Sequence, residues 1–143
     1  MKKIQNCLWH TTSDGNIGYL LLRVFIALAL LTHGLPKLTA GPELWGQLGG
    51  AVTGLGVPGP AVFWGFMAAF AESIGSIMLL VGLLTPAAAA LIAVTMAVAA
   101  FVVHGGQGFA GRELALLYLF PGLLFMLKGA GRYSLDYLLF RRH

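Results

Sequence analysis

Charge is scarce in this chain. Charged residues make up 10% of the 143, against roughly 25% in soluble globular proteins, while 58% are hydrophobic. That shortage excludes a water-soluble globule. A domain this small cannot bury so much apolar surface, so lipid is the solvent for much of the chain. Cysteine is nearly absent as well. Cys7 alone allows no intrachain disulfide and no CxxC redox motif, and it reads as an incidental residue of a polar arm. A Walker loop, GxSxG and HExxH are all missing, and the GxG pieces at Gly54–Gly56 and Gly129–Gly131 lack any strand–turn–helix context. They are turns. The net charge of +4 comes without a basic stripe interleaved with aromatics, which argues against a nucleic-acid partner. The cations read instead as topology signals and contacts to membrane lipids.

What is present in quantity is long apolar runs. Four stand out, at 17–35, 61–84, 87–103 and 113–127. At ~1.5 Å per residue the second covers ~36 Å, ample for a ~30 Å hydrocarbon core. The fourth reaches only ~23 Å and carries Pro121-Gly122, so it reads as a kinked or tilted span, with a re-entrant segment as the alternative. Lys2 and Lys3 precede the first run as in a signal peptide. But HTTSDGN (10–16) intervenes, and the run contains Arg23 and is too long for an h-region. It is expected to be a retained span.

The expected fold class is all-α: an integral membrane four-helix bundle of up-down topology. Its expected divisions are a cytoplasmic N-terminal arm (1–16), a four-span domain (17–128) and a cytoplasmic interfacial tail (129–143). In the tail, YSLDYLLFRRH predicts a short helix with Ser134 as its cap and Arg141 and Arg142 near headgroups. With four spans, Lys2, Lys3, Lys128, Arg132, Arg141 and Arg142 share one side, and Lys37 and Arg112 the other. The positive-inside rule then puts both termini in the cytoplasm. Residues 36–60, rich in Gly and Pro and holding Trp45, are expected to form a long outer loop that folds over the mouth of the bundle.

Periodicity assigns the inward faces. In the third run Ala90, Ala93, Ala97, Ala100 and His104 form a small-residue stripe that lets helices approach closely. In the second, Gly65, Ala68, Ala69, Glu72, Gly75 and Ser76 share one face. In the first, Arg23, Leu30, His33 and Lys37 lie within ~80° at ~100° per residue. Arg23 and Glu72 are expected at one depth and are read as a structural ion pair, since an isolated charge at mid-bilayer costs ~2.5–3.5 kcal/mol even on insertion scales. His33, Lys37, His104 and Glu113 form a second, outer layer, with Arg112 and Glu43 nearby.

Three chemistries fit that outer layer. A quinone needs hydrogen-bond donors and a proton route at its carbonyls, which His33, Lys37, His104 and Glu113 supply. A metal such as Zn or Fe suits two imidazoles and a carboxylate, with His33, His104 and Glu113 as the candidate ligands. A bis-histidine haem comes last, because no attachment motif accompanies it.

Five stretches taken in order carry a further signal: LLRVFIALALLTHGLPKL (21–38), GLGVPGP (54–60), AESIGSIMLLVGLLTPAAA (71–89), His104 followed by RELALLYL (112–119), and GAGRYSLD (129–136). Together they resemble the DoxX family of small bacterial membrane proteins, over about residues 17–137. The resemblance implies four transmembrane helices. It also implies an association with redox chemistry: the family is named for a subunit of a thiosulfate–quinone oxidoreductase, others are linked to redox or thiol-stress complexes, and more distant relatives include assembly chaperones. Arg23, His33, Lys37, Glu72, His104 and Glu113 sit where the family's motif places its polar intramembrane residues. GAGRYSLD stands where GPGRYSLD is common.

The leading expectation is therefore a quinone-interacting membrane subunit of an oxidoreductase complex. His33 and His104 would bind or protonate quinone carbonyls, Glu113 would relay protons, and Lys37 would stabilise developing negative charge. Its partners would be lipid and a soluble or membrane redox subunit, and a homodimer is compatible with the pattern. Two alternatives stay open: a non-catalytic scaffold or assembly protein, and a binding or transport protein for a small solute or metal.

Overall fold

The computed structural model describes residues 17–140. The expectations placed on Lys2, Lys3, Cys7, Arg141 and Arg142 lie outside them. Within them every regular element is a helix, with no strand. The helices are α1 (Ile17–Ala40), α2 (Pro42–Thr53), α3 (Ala61–Val81), α4 (Thr85–Val98, continued by a π turn over Ala99–Val103), α5 (Gly108–Lys128) and α6 (Leu135–Phe140). Four of these stretches are long and apolar enough to cross a membrane: α1, α3, α4 with its π turn, and α5. Below, the end of the bundle near Ile17 and Lys128 is the terminal end, and the opposite one the far end.

Two boundaries differ from expectation in ways that matter. α1 does not stop before Pro36 but carries it inside the helix and continues to Ala40. The chain then breaks at Gly41, whose φ of 87° only glycine adopts without strain, and Pro42 opens α2 at a position where its missing N–H is no loss. Most of the expected outer loop is thus helix. α2 runs antiparallel to α3 at very short range: a Cβ on Gly49 would lie 1.7 Å from the Ala61 carbonyl oxygen, and one on Gly65 1.8 Å from that of Trp45. α5 begins at Gly108, earlier than expected. Its 21 residues remove the shortfall that had suggested a re-entrant segment.

The expected inward faces are largely observed. Gly65, Ala69, Glu72, Gly75 and Ser76 are buried on α3, and Ala93 and Ala100 on α4, while Leu91 and Val94 face outward. The apolar core joins Leu30, Leu79, Ile92, Met96, Leu119 and Phe125. On α1 the buried stripe is Arg23, Ile26, Ala27, Leu30 and Gly34. His33 stands about 80° from its centre at ~100° per residue, and is exposed at its edge.

The GAGRYSLD segment closes the terminal end. α3 stops at Gly82, in the left-handed conformation at φ 70°, and the Gly82 carbonyl accepts the Asp136 N–H at 2.8 Å. The Asp136 carboxylate accepts the N–H groups of Leu84 (2.6 Å) and Thr85 (2.8 Å), capping the start of α4. Ser134 caps α6 as expected, accepting from the Tyr137 N–H at 3.1 Å.

Candidate functional site: a lysine–glutamate pair inside the membrane

α1 and α3 cross where neither has bulk. A Cβ on Gly34 would come within 2.3 Å of the Glu72 carbonyl carbon and oxygen, so only glycine permits the approach. One turn further along α1, Lys37 lies over the Glu72 side chain. Its Nζ donates to both carboxylate oxygens, at 2.8 Å to Oε1 and 2.6 Å to Oε2. The two side chains differ in exposure: 4% for Glu72 and 32% for Lys37. One wall of the pair is therefore open. The helix end that carries Lys37 is tied down by α2, because the Trp45 indole N–H donates to the Lys37 carbonyl at 2.8 Å and the Trp45 ring packs edge-on against Phe66. Pro36, lacking an N–H, leaves α1 one internal hydrogen bond short just below.

α5 brings a third polar group. Tyr118 is buried and makes an edge-to-face contact with His33 at 6.0 Å between ring centroids; His33 in turn precedes Gly34, which lies against the Glu72 backbone. Lys37, Glu72, Tyr118 and His33 thus form one polar group contributed by α1, α3 and α5. At ~1.5 Å per residue, Glu72 lies ~15 Å from the terminal end of α3 and Tyr118 ~15 Å from that of α5, each near the middle of its span, and His33 lies ~15 Å above Arg23 on α1, which begins lower.

The expected Arg23–Glu72 pair is not formed. α1 and α3 are antiparallel, so Arg23 is level with Gly82, where a Cβ would lie 3.1 Å from Arg23 Nη1. Gly34, opposite Glu72, is ~16 Å further along α1. Arg23 is instead buried at the terminal end and donates to the carbonyls of Ala130 and, at 2.5 Å, Tyr133. It locks the closing segment in place. Glu72 finds its cation in Lys37, which the early stop at Pro36 had placed in the outer layer.

That outer layer is also redistributed. His33 joins the mid-depth group. His104 follows the π turn near the far end, where its Nδ1 lies 3.0 Å from Gln107 Oε1. Arg112 closes the α4–α5 connection by donating to the carbonyls of Gly105 (2.9 Å) and Gly108 (3.1 Å), and Glu113 is exposed beside it. Among the described residues no group of three His, Cys, Asp or Glu side chains is placed to hold a metal ion, so the candidate ligands His33, His104 and Glu113 are not brought together.

The DoxX family model matches residues 18–105, which takes in α1 to α4 and with them Arg23, His33, Lys37, Glu72 and His104. The chain belongs to the DoxX family. A Haemophilus influenzae protein described as "Uncharacterized protein" is 37% identical over 128 residues, which is 85% of this chain and 90% of the relative. No solved structure matches. In this DoxX-family chain α5 falls beyond the matched stretch, and it holds the residue that sequence reasoning missed. Tyr118 is a lone hydroxyl at the centre of an apolar span, and the rule that intramembrane polar groups mark function could have flagged it.

Proposed function

We propose that the chain is the membrane subunit of a redox complex and that the Lys37–Glu72 site interacts with a quinone. The observation that carries this reading is the ion pair held at mid-membrane with its lysine one-third exposed. An open ammonium beside a phenol and an imidazole presents several donors to one acceptor. A quinone carbonyl is such an acceptor, and the apolar helix faces around it suit an isoprenoid tail. The donor set therefore fits the group. Lys37 would donate to the carbonyl oxygen and balance negative charge developing there, Tyr118 would donate a second hydrogen bond, and Glu72 would hold a proton for transfer. His104 and Glu113, nearer the far end, would relay protons between this site and water. Electrons would pass to or from a partner subunit. The reading includes the orientation: both termini in the cytoplasm of a bacterial inner membrane, supported by Lys128 and Arg132 at the terminal end against Arg112 at the far end.

A second reading rests on one specific feature. Both Glu72 oxygens are already satisfied by a single ammonium, as suits a helix clamp in a non-catalytic scaffold. Native mass spectrometry of protein extracted gently from its own membranes separates the two. A stoichiometric quinone adduct, lost on Lys37→Met, is the expected result. Bare protein, or protein carrying only lipid or another subunit, would refute the quinone reading in favour of the scaffold.

A further inference from the structure

The bundle closes unevenly. Around it α1 packs along α3, α3 along α4 and α4 along α5, but α1 and α5 meet sparingly. The terminal half of this last seam is fastened. Tyr19 packs edge-on against Phe125 with centroids 5.3 Å apart, its hydroxyl donates to the Gly129 carbonyl at 2.6 Å, and Arg23 grips the segment that follows α5. Higher up, the seam carries the ring contact between His33 and Tyr118.

His33 is out of place for a helix that faces only lipid. It is exposed at about mid-bilayer, ~15 Å above Arg23 along α1, and its imidazole makes no hydrogen bond to another described residue. Hydrocarbon offers such a ring no partner. Against it stands Tyr118, and the next residue of α1, Gly34, lies against the backbone of Glu72, whose carboxylate holds the half-open lysine. A polar ring on the lipid-facing rim of the loosest seam therefore stands one residue from the place where α1 crosses Glu72.

We propose that the α1–α5 seam is a lateral portal through which a lipid-soluble, carbonyl-bearing amphiphile enters from the bilayer, passing between the His33 and Tyr118 rings to reach Lys37. The inference rests on the quinone reading above and adds the route and the gate. His33 and Tyr118 separate to admit the headgroup, and each offers it a donor hydrogen on the way in. The tail stays in the seam, against lipid. The fastened terminal half keeps the bundle together while the upper half opens.

The test uses Trp45, whose indole is bonded to the Lys37 carbonyl, as a fluorescence reporter in a Trp9→Phe, Trp64→Phe background in nanodiscs. Decylubiquinone binding is followed by stopped-flow quenching. His33→Ala, a change at an exposed position, is expected to raise both association and dissociation rates about fivefold, with Kd moving less than about threefold, as for any gate that is not itself the main anchor. His33→Trp is expected to slow both. Tyr118→Phe keeps the ring, and is expected to leave association unchanged while raising dissociation about fivefold through loss of one hydrogen bond. Binding to the wild type with rates indifferent to His33→Ala and His33→Trp would overturn the portal and leave the quinone reading intact. Absence of wild-type quenching would overturn the reading and the portal with it.

Discussion

Lys37→Met removes the cation from a carboxylate whose side chain is 4% exposed, and its consequences can be worked from the geometry. Removing one partner of a buried pair costs roughly 3–5 kcal/mol. Because the Lys37 side chain is 32% exposed, the lower limit applies, about 3 kcal/mol, or about 150-fold in the unfolding constant at 1.36 kcal/mol per decade. The reverse change should be milder. In Glu72→Leu the stranded lysine sits near the end of α1, which stops at Ala40, and it can swing toward the far interface, so about 1 kcal/mol is expected. In the double variant Lys37→Met, Glu72→Leu no charge is stranded. An apolar replacement of similar volume is often neutral, so its loss should also stay near about 1 kcal/mol, leaving a coupling energy of about 3 kcal/mol. Reversible unfolding by SDS titration in mixed micelles reads all four proteins. Equal losses in the two single variants, with a double variant that is their sum, would show that the bond between Lys37 and Glu72 contributes nothing to the fold.

Other expectations follow from the same contacts. Gly34→Ala should be severely destabilising, at the upper end of or beyond the roughly 1–3 kcal/mol typical of overpacking, because its Cβ meets α3 backbone, while Gly50→Ala, with open space around it, should be neutral or slightly stabilising. Thermal denaturation in detergent compares them, and equal melting temperatures would contradict the close α1–α3 crossing. Asp136→Ala, which uncaps α4, should lower stability by about 1 kcal/mol and raise hydrogen exchange over residues 82–88 and 129–136. Unchanged exchange there would mean the closing segment is not held as described. Trp45→Phe keeps the packing on Phe66 but removes the bond to the Lys37 carbonyl, and should cost about 1 kcal/mol. A loss beyond about 3 kcal/mol would show that the indole does more than that one bond.

The fold was legible where physics acts on whole segments. Apolar length and small-residue stripes located four spans and the inward face of α3 and α4. What local rules obscured were the places where packing overrides them. Pro36 looks like a stop, yet Gly34 lets α1 lie so close to α3 that the helix continues past it. The glycines of α2 look like loop, yet two of the contacts between α2 and α3 require glycine. A helix that ends at Pro36 puts Lys37 and His33 too far outward and leaves Arg23 as the only cation for Glu72. The tail's pattern is that of an interfacial appendage, and nothing in it shows the backbone carbonyls that Arg23 holds. The residue types were right and their partners were not, because pairing across antiparallel helices depends on where each helix ends.

The measurement that bears most directly on the central claim is a quinone titration of Trp45 fluorescence in the Lys37→Met, Glu72→Leu double variant, beside the wild type, both in the Trp9→Phe, Trp64→Phe background. This variant is expected to stay folded while lacking both charges. Saturable binding by the wild type and none by the double variant is the result the account predicts. Equal binding by the two proteins, with both folded, would contradict it and place the quinone elsewhere on the bundle.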